Sequence, residues 1–528
     1  MLRGGLAVSI IALAAGCASV DRELLDTQLP EPPTAWTADE NVGVVPTGDW
    51  VAAFEDRTLY TLIDEALRRN NNLLAAAANL DAAQAASKAA RAALLPTLNV
   101  SADTSRNAIV TDPSIAAQTG GASDLGGLRA QELEDRFGID VDGDGKLDGL
   151  DVDQDGDLEI GNGSPDGPIP NRRAYINNFG LGAQINWEID LWGRLRDETK
   201  AAYRDANASY ADFEAARLSI AGAVAQAWFG LIEARQQREL GERDVAARES
   251  NLRVTERRYD RGVASSLDVR LSRSALGSSQ ANLALRQRVE KEASRRLEVL
   301  LGRYPGAELE AAQSLPSLPP LAGAGAPLDI LSRRPDLQAA EARMEASGLR
   351  ARATAKQMLP SITLSSRIST SGPDLADVID PERLAGNIAA GLFQPIFQGG
   401  RLRANSKRAR AQAEASLLSY AQTVLEAYEE AENAISAESY LAVREDALNL
   451  AYEEAAAAEE LTERRYNSGA ATIFDLLNAQ TRRISAESSY IQAQQQRVTN
   501  RVLLYLAIGG DFLTDVQIAS ADEGTGAQ

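Results

Sequence analysis

Phe179-Gly180-Leu181-Gly182-Ala183-Gln184-Ile185-Asn186-Trp187-Glu188-Ile189-Asp190-Leu191 alternates between apolar and polar or small residues without a break. The odd positions from Phe179 to Leu191 share one face, and Gly180, Gly182, Gln184, Asn186, Glu188 and Asp190 share the other. Alternation of this length is the pattern of a transmembrane β-strand, apolar toward lipid and polar toward a lumen. A strand in a soluble sandwich would need many sister strands, and few others are present. Thr97-Leu98-Asn99-Val100-Ser101-Ala102 alternates after Pro96, and Ser361-Ile362-Thr363-Leu364-Ser365 alternates after Pro360. Ile388, Ala390 and Leu392, ahead of Pro395 and Gly399-Gly400, supply a fourth strand. Four strands cannot close a barrel, because the smallest outer-membrane barrels take about eight. An open sheet edge is not tolerated in lipid. The strands must therefore come from several chains, and three copies give a twelve-stranded barrel.

The remainder reads as helix, and it is duplicated. Arg257-Arg258-Tyr259-Asp260-Arg261-Gly262, followed by Leu267-Asp268-Val269, returns as Arg464-Arg465-Tyr466-Asn467-Ser468-Gly469, followed by Phe474-Asp475-Leu476. The offset is 207 residues (466 − 259). Gly262 and Gly469 mark tip turns between helices, where a positive φ is needed. Gly193 to Tyr259 and Gly400 to Tyr466 both span 66 residues, roughly 100 Å if helical throughout. Leu218, Ala221, Ala225, Trp228 and Ile232 recur at three- and four-residue spacing, as do Val424, Tyr428, Ala431 and Ile435. That is the seam of a coiled coil. Residues 56–93 read as a further helix, interrupted at Asn70–Asn72 and stopped by Pro96.

Composition narrows the function. Aromatic residues are 5% of the chain and alanine is abundant, so the helices pack closely through small side chains. A net charge of −21 excludes the basic footprint of a nucleic-acid binder. The chain has no histidine, no nucleophile motif and no phosphate-binding loop, which argues against an enzyme. Its single cysteine, Cys17, excludes an intrachain disulfide. Arg3, the apolar run Leu6–Ala15 and Gly16-Cys17 form a signal peptide over residues 1–16. Leu13-Ala14-Ala15-Gly16-Cys17 resembles a lipobox, which implies cleavage before Cys17 and its lipidation. No other segment approaches the apolar length of a membrane helix.

The first half carries an insertion. Pro96 to Pro360 is 264 residues whereas Gly193 to Gly400 is 207, so 57 extra residues lie between the first two strands. Asp140, Asp142, Asp144, Asp148 and Asp151 fall at positions 1, 3, 5, 9 and 12 of an EF-hand-like loop, with Gly145 at position 6. Asp151 also opens a second run containing Asp153, Asp155, Asp157 and Glu159. The eleven-residue repeat leaves no room for intervening helices and looks like the tandem calcium loops of thrombospondin-type repeats. So many carboxylates cannot pack together without a counter-ion; a structural Ca²⁺ is expected here, the alternative is a solvated acidic loop, and no cofactor is otherwise required.

Leu95-Pro96, Trp187-Glu188-Ile189-Asp190-Leu191-Trp192-Gly193-Arg194, Arg333-Arg334-Pro335-Asp336-Leu337, Gln398-Gly399-Gly400-Arg401-Leu402 and the two Arg-Tyr-x-x-Gly tips together resemble the TolC-type outer-membrane factor family. The likeness is strongest to its lipidated, efflux-linked OprM/NodT-like branch and runs from about Trp50 to Phe512. It implies an α+β fold: a homotrimer whose long duplicated helices form a periplasmic α-barrel below the twelve-stranded β-barrel. It further implies an outer-membrane efflux channel of a Gram-negative bacterium, docked on a periplasmic adaptor and an inner-membrane RND-type transporter. Tyr466 and Asp475 occupy positions that close the periplasmic gate in the family, and Asn478 stands where some members have a second aspartate. Ala471 replaces a tip arginine. Asp475 and Asn478, three apart, share a helix face; three copies of Asp475 about an axis would make an acidic ring favouring cations.

The organisation expected is a lipid-anchored tether over 17–50, a first repeat over 51–300 with the extracellular insertion at about 105–175, and a linker over 301–328. A second repeat over 329–512 and a disordered tail over 513–528 complete it. A duct for type I protein secretion and a lipid-anchored coiled-coil scaffold without a pore are the alternatives.

Overall fold

The computed structural model describes residues 35–38, 50–111, 172–318 and 326–510. Its elements in chain order are α1 (Arg57–Arg69), α2 (Asn71–Ala92), β1 (Thr97–Thr111), β2 (Arg172–Ile189), α3 (Arg194–Asp260) and α4 (Ser266–Leu300). Then come α5 (Ile330–Arg333), α6 (Pro335–Lys356), β3 (Ser361–Gly372), β4 (Ala385–Phe393), α7 (Arg401–Asn467) and α8 (Ile473–Ala507). Two compact units result, one of Met1–Ala89, Asp197–Ala355 and Arg403–Gln528, the other of Ala90–Arg196 and Lys356–Leu402. Each unit draws on both halves of the duplication.

The duplication is visible in element lengths. α3 and α7 each have 67 residues, and α4 and α8 each have 35. In the helical unit the expected seams are buried: Ala221, Ala225, Trp228 and Ile232 on α3, and Val424, Ala431 and Ile435 on α7. They meet Trp50, Phe54, Leu59 and Ile63 from the chain's first described turns and Val502, Leu504 and Tyr505 from α8. Trp50 stacks on Tyr505, and Phe54 lies against Phe229 with centroids 5.1 Å apart. Asp56 serves two helices at once. One carboxylate oxygen accepts from the Thr58 and Leu59 N–H groups and caps α1; the other accepts the Trp228 indole N–H at 2.7 Å. Asn70 ends α1, and its side-chain oxygen accepts from the Asn72 and Leu73 N–H groups to start α2. The interruption foreseen at Asn70–Asn72 is thus a capped helix-to-helix joint.

An 18-residue window of α3 is apolar enough to cross a membrane by composition, which corrects the expectation that only the leader comes near. Half of that window is buried inside the protein, so its apolarity goes into packing. The Pro/Gly/Ala-rich linker, described through Leu318, is also packed. Glu298 is buried, and its carboxylate accepts from the backbone N–H groups of Ala307, Glu308 and Leu309 at 2.7, 2.6 and 3.3 Å. Burial raises its pKa, but those three donors and Arg295 outweigh it and hold the group below the ordinary glutamate value.

The second unit holds one antiparallel sheet in the order β1-β2-β3-β4. β1 and β2 run well beyond the stretches of clean alternation, pairing from Thr97↔Asn186 to Thr111↔Arg172. Leu98, Ile185, Ser366 and Ile388 lie in one transverse register, as do Val100, Ala183, Ile368 and Gly386. Cross-strand partners share a face, so these rows build one apolar surface. It is open: Val100 is 71%, Ile388 80% and Leu392 72% exposed. Among the described residues β1 and β4 each have one unpaired edge, and every β4 residue is exposed. The alternation ends before the sequence suggests. Asp190 and Leu191 leave the strand because the Asp190 carboxylate turns to accept the Leu195 and Arg196 N–H groups at 3.2 and 2.9 Å.

Candidate functional site

Two places carry the motifs: the hairpin tips and the strand-to-helix turn. At the first tip α3 ends with Gly262 at φ +73°, its N–H on the Tyr259 carbonyl and that of Val263 on the Arg258 carbonyl. At the second, Gly469 at φ +81° repeats the pattern on Tyr466, with Ala470 on Arg465. Both are Schellman closures, which only a residue at ease with positive φ makes without strain. Each tip then starts its returning helix with a capping box, Ser265 with Asp268 and Thr472 with Asp475. The Ser/Thr-x-x-Asp spacing is itself a helix-start signal in the sequence, so Asp475 has a capping role beside the gate role that the family resemblance implies.

The tips are otherwise unequal. Tyr259 is 48% exposed, whereas its counterpart Tyr466 is 6% exposed. The Arg258 guanidinium lies over the Tyr466 ring, 4.3 Å from the centroid, and donates to the Tyr466 and Asn467 carbonyls at 3.2 and 3.3 Å. The Tyr466 hydroxyl meets the Thr255 hydroxyl at 3.2 Å. Ile473 and Leu476 complete an apolar cluster under the ring. The first tip therefore holds the second through an arginine on an aromatic face. Spacing alone could not reveal that pair, since the two residues are 208 positions apart.

Asp475 is fully exposed. The Thr472 hydroxyl donates to its carboxylate at 2.7 Å and the Thr472 N–H at 2.9 Å, and these bonds lower its pKa. Asn478 is exposed one turn further along α8. Asp475 and Asn478 thus share an exposed stretch at the start of α8, and Tyr466 lies beneath it in the hairpin core. Cys17 and the carboxylates Asp140, Asp142, Asp144, Asp148, Asp151, Asp153, Asp155, Asp157 and Glu159 lie outside the described residues.

The motif Trp187–Arg194 acquires its reasons at the foot of the sheet. The Trp187 indole donates to the Leu94 carbonyl at 3.0 Å and that of Trp192 to the Pro360 carbonyl at 2.7 Å. Glu188 pairs with Arg194 at 2.7 Å, and Lys356 donates to the carbonyl of Gly193, which sits at φ +75°. The motif is a strand-to-helix turn, locked by polar contacts and flanked by two amphipathic indoles suited to a membrane–water boundary. In the helical unit Arg334 grips Asp336, with its Nη2 2.6 Å from the carboxylate, and reaches Glu430 at 2.8 Å, tying α6 to α7.

Long duplicated hairpins together with a four-stranded, apolar-faced, open-edged sheet define an outer-membrane channel component. The family comparison gives the particular group: the outer membrane efflux protein model matches residues 62–130, 139–303 and 326–510, and the chain belongs to that family. It is an efflux protein of the Gram-negative outer membrane. It is 28% identical to the pyoverdine export outer membrane protein OpmQ of Pseudomonas aeruginosa over 469 residues, covering 89% of this chain and 88% of OpmQ. The toluene efflux pump outer membrane protein TtgC of Pseudomonas putida is 27% identical over 97% of this chain and 96% of its own. The crystal structure of the Campylobacter jejuni CmeC outer membrane channel has the same fold, with a TM-score of 0.76 at 20% identity over 94% of this chain and 96% of that one.

Proposed function

We propose that three copies of this chain close a twelve-stranded barrel by pairing the β4 edge of one copy with the β1 edge of the next, forming the outer-membrane duct of a tripartite efflux system. The supporting observation is the sheet itself. Its apolar face suits only lipid, while both edges carry unpaired backbone groups. Each such group costs on the order of several kcal/mol if left bare in hydrocarbon. A heterologous edge contact that closes on itself satisfies every group at once. In this reading the tips at Gly262 and Gly469 meet a periplasmic adaptor, which in turn meets an inner-membrane RND-type transporter. Asp475 and Asn478 line the periplasmic gate, with Tyr466 behind them in the hairpin core, Cys17 carries the lipid anchor, and the Asp140–Glu159 run takes up Ca²⁺.

Purified full-length protein should run as a trimer that resists dissociation below boiling and give discrete conductance steps in planar bilayers. A monomer without conductance refutes the duct and leaves the scaffold alternative. Crosslinking to an adaptor, with heightened sensitivity of a deletion strain to small toxic compounds and intact protein secretion, separates efflux from secretion. Flat calorimetric titration of the insertion loop with Ca²⁺ would overturn the calcium assignment.

A further inference from the structure

We infer that the transverse row Asn99–Gln184–Arg367–Asn387 is the narrowest girdle of the barrel lumen, and that Arg367 makes it select against cations. The inference rests on the three-chain barrel proposed above. Strand register supplies the row: Asn99 pairs with Gln184, Gln184 with Arg367, and Arg367 with Asn387. The row lies on the face opposite Leu98, Ile185 and Ile388, so it points into the lumen when that apolar face meets lipid.

Side-chain size singles the row out. On one side lies Ser101–Gly182–Ser369–Ala385, and on the other Thr97–Asn186–Ser365–Ala389. The first neighbour is filled by small groups alone: a Cβ on Gly182 would sit 3.4 Å from the Ser369 Cβ and 3.5 Å from the Ser101 Oγ. The Gln184 amide is fixed, donating to Asn186 at 3.0 Å. Barrels of about eight strands are filled by their side chains and those of sixteen hold open water. At twelve, the ring that carries Gln184 and Arg367, between rings with nothing longer than Asn186, sets the bore.

Charge singles out Arg367 within the row. It is exposed and, among the described residues, forms no ion pair. Among the described side chains, the other charges on that face are engaged or set apart. Glu188 is held by Arg194 at 2.7 Å, and the Asp103 carboxylate lies over Gly180, where an added Cβ would come within 2.9 Å of it. Three uncompensated guanidinium groups at one level make the basic ring that favours anions in a pore.

Reversal potentials in a KCl gradient test this on the full-length channel. Arg367→Gln keeps the length and removes the charge, and it should raise the K⁺/Cl⁻ permeability ratio severalfold; Arg367→Glu should raise it further. A second reading needs no open gate. A thiol at position 369, from Ser369→Cys, should react faster with an anionic than with a cationic methanethiosulfonate, and Arg367→Gln should lower that rate ratio severalfold. Conducting trimers whose permeability ratio and rate ratio both ignore Arg367 overturn the girdle and leave the duct standing. Protein with neither trimer nor conductance overturns both.

Discussion

Glu298→Ala removes the acceptor that three linker N–H groups converge on. Bonds to the carboxylate at 2.7 and 2.6 Å are of full strength, and the one at 3.3 Å adds little. A hydrogen bond to a charged group contributes about 1.5–3 kcal/mol, and water reaching the freed amides returns part of that. The net local loss is about 2–4 kcal/mol. Every 1.36 kcal/mol is tenfold in an opening equilibrium, so exchange protection at the amides of 307–309 should fall roughly 30- to 1000-fold. Native-state hydrogen exchange by mass spectrometry reads this directly, with the α3 core as internal reference. Glu298→Gln should fall between the two, since a neutral amide oxygen still accepts. pH supplies an independent arm. Because the folded pKa is depressed, the contribution is complete above the unfolded glutamate value of about 4.3 and is lost as pH falls through the lowered folded value. Protection factors at these amides, corrected for intrinsic rate, should therefore hold at neutral pH and collapse only in acid. Amides that exchange equally fast in wild type and Glu298→Ala would refute the reasoning, because the carboxylate would then not be holding the linker.

At the tips, Arg258→Ala should cost about 0.5–2 kcal/mol through loss of the cation–π contact and raise cleavage by a limiting protease near Gly469; unchanged cleavage means the tips are held otherwise. Thr472→Ala removes the second capping box and should lower stability by about 1 kcal/mol, read as a drop in the midpoint of thermal unfolding in detergent. Glu438→Ala takes the carboxylate from Arg501, itself 1% exposed, and from Arg497, at 2.8 and 3.0 Å. Breaking a buried pair by removing one partner costs about 3–5 kcal/mol, and a midpoint shift no larger than that of a surface control would contradict it. Gly302→Ala places a Cβ 2.6 Å from the Arg69 carbonyl at φ +71°, so it should destabilise where Gly277→Ala, with open space around it, should not.

Much of this architecture could be read in the sequence because it is written in periods. The alternation at Phe179–Ile189 and the three- and four-residue recurrence around Trp228 each point to one backbone geometry, and the 207-residue offset ties the two halves together. What stayed illegible depends on contacts between residues distant in sequence. Nothing local marks Arg258 as the partner of Tyr466, or Glu298 as the anchor of a stretch that composition describes only as Pro- and Gly-rich. Asp190 illustrates the limit within a single motif. Its parity places it on the polar face of a strand, but its carboxylate is drawn off to cap the helix that follows. Asp475 carries two signals at once, a family gate position and the capping-box spacing with Thr472, and the structure shows the second. Arg367 carries no local signal at all; its neighbours across the sheet appear only once strand register is known.

The Thr111↔Arg172 pair has one more consequence, for what can be changed in this protein. The β1–β2 ladder brings Thr111 and Arg172 together, so the chain leaves the sheet and returns to it at one point. At the flexible-chain limit each doubling of loop length costs about 0.6 kcal/mol, so trading residues 112–171 for a four-residue turn would alter closure by only about 2.4 kcal/mol, in the stabilising direction. The Thr111↔Arg172 junction is therefore a natural graft point for a reporter or epitope.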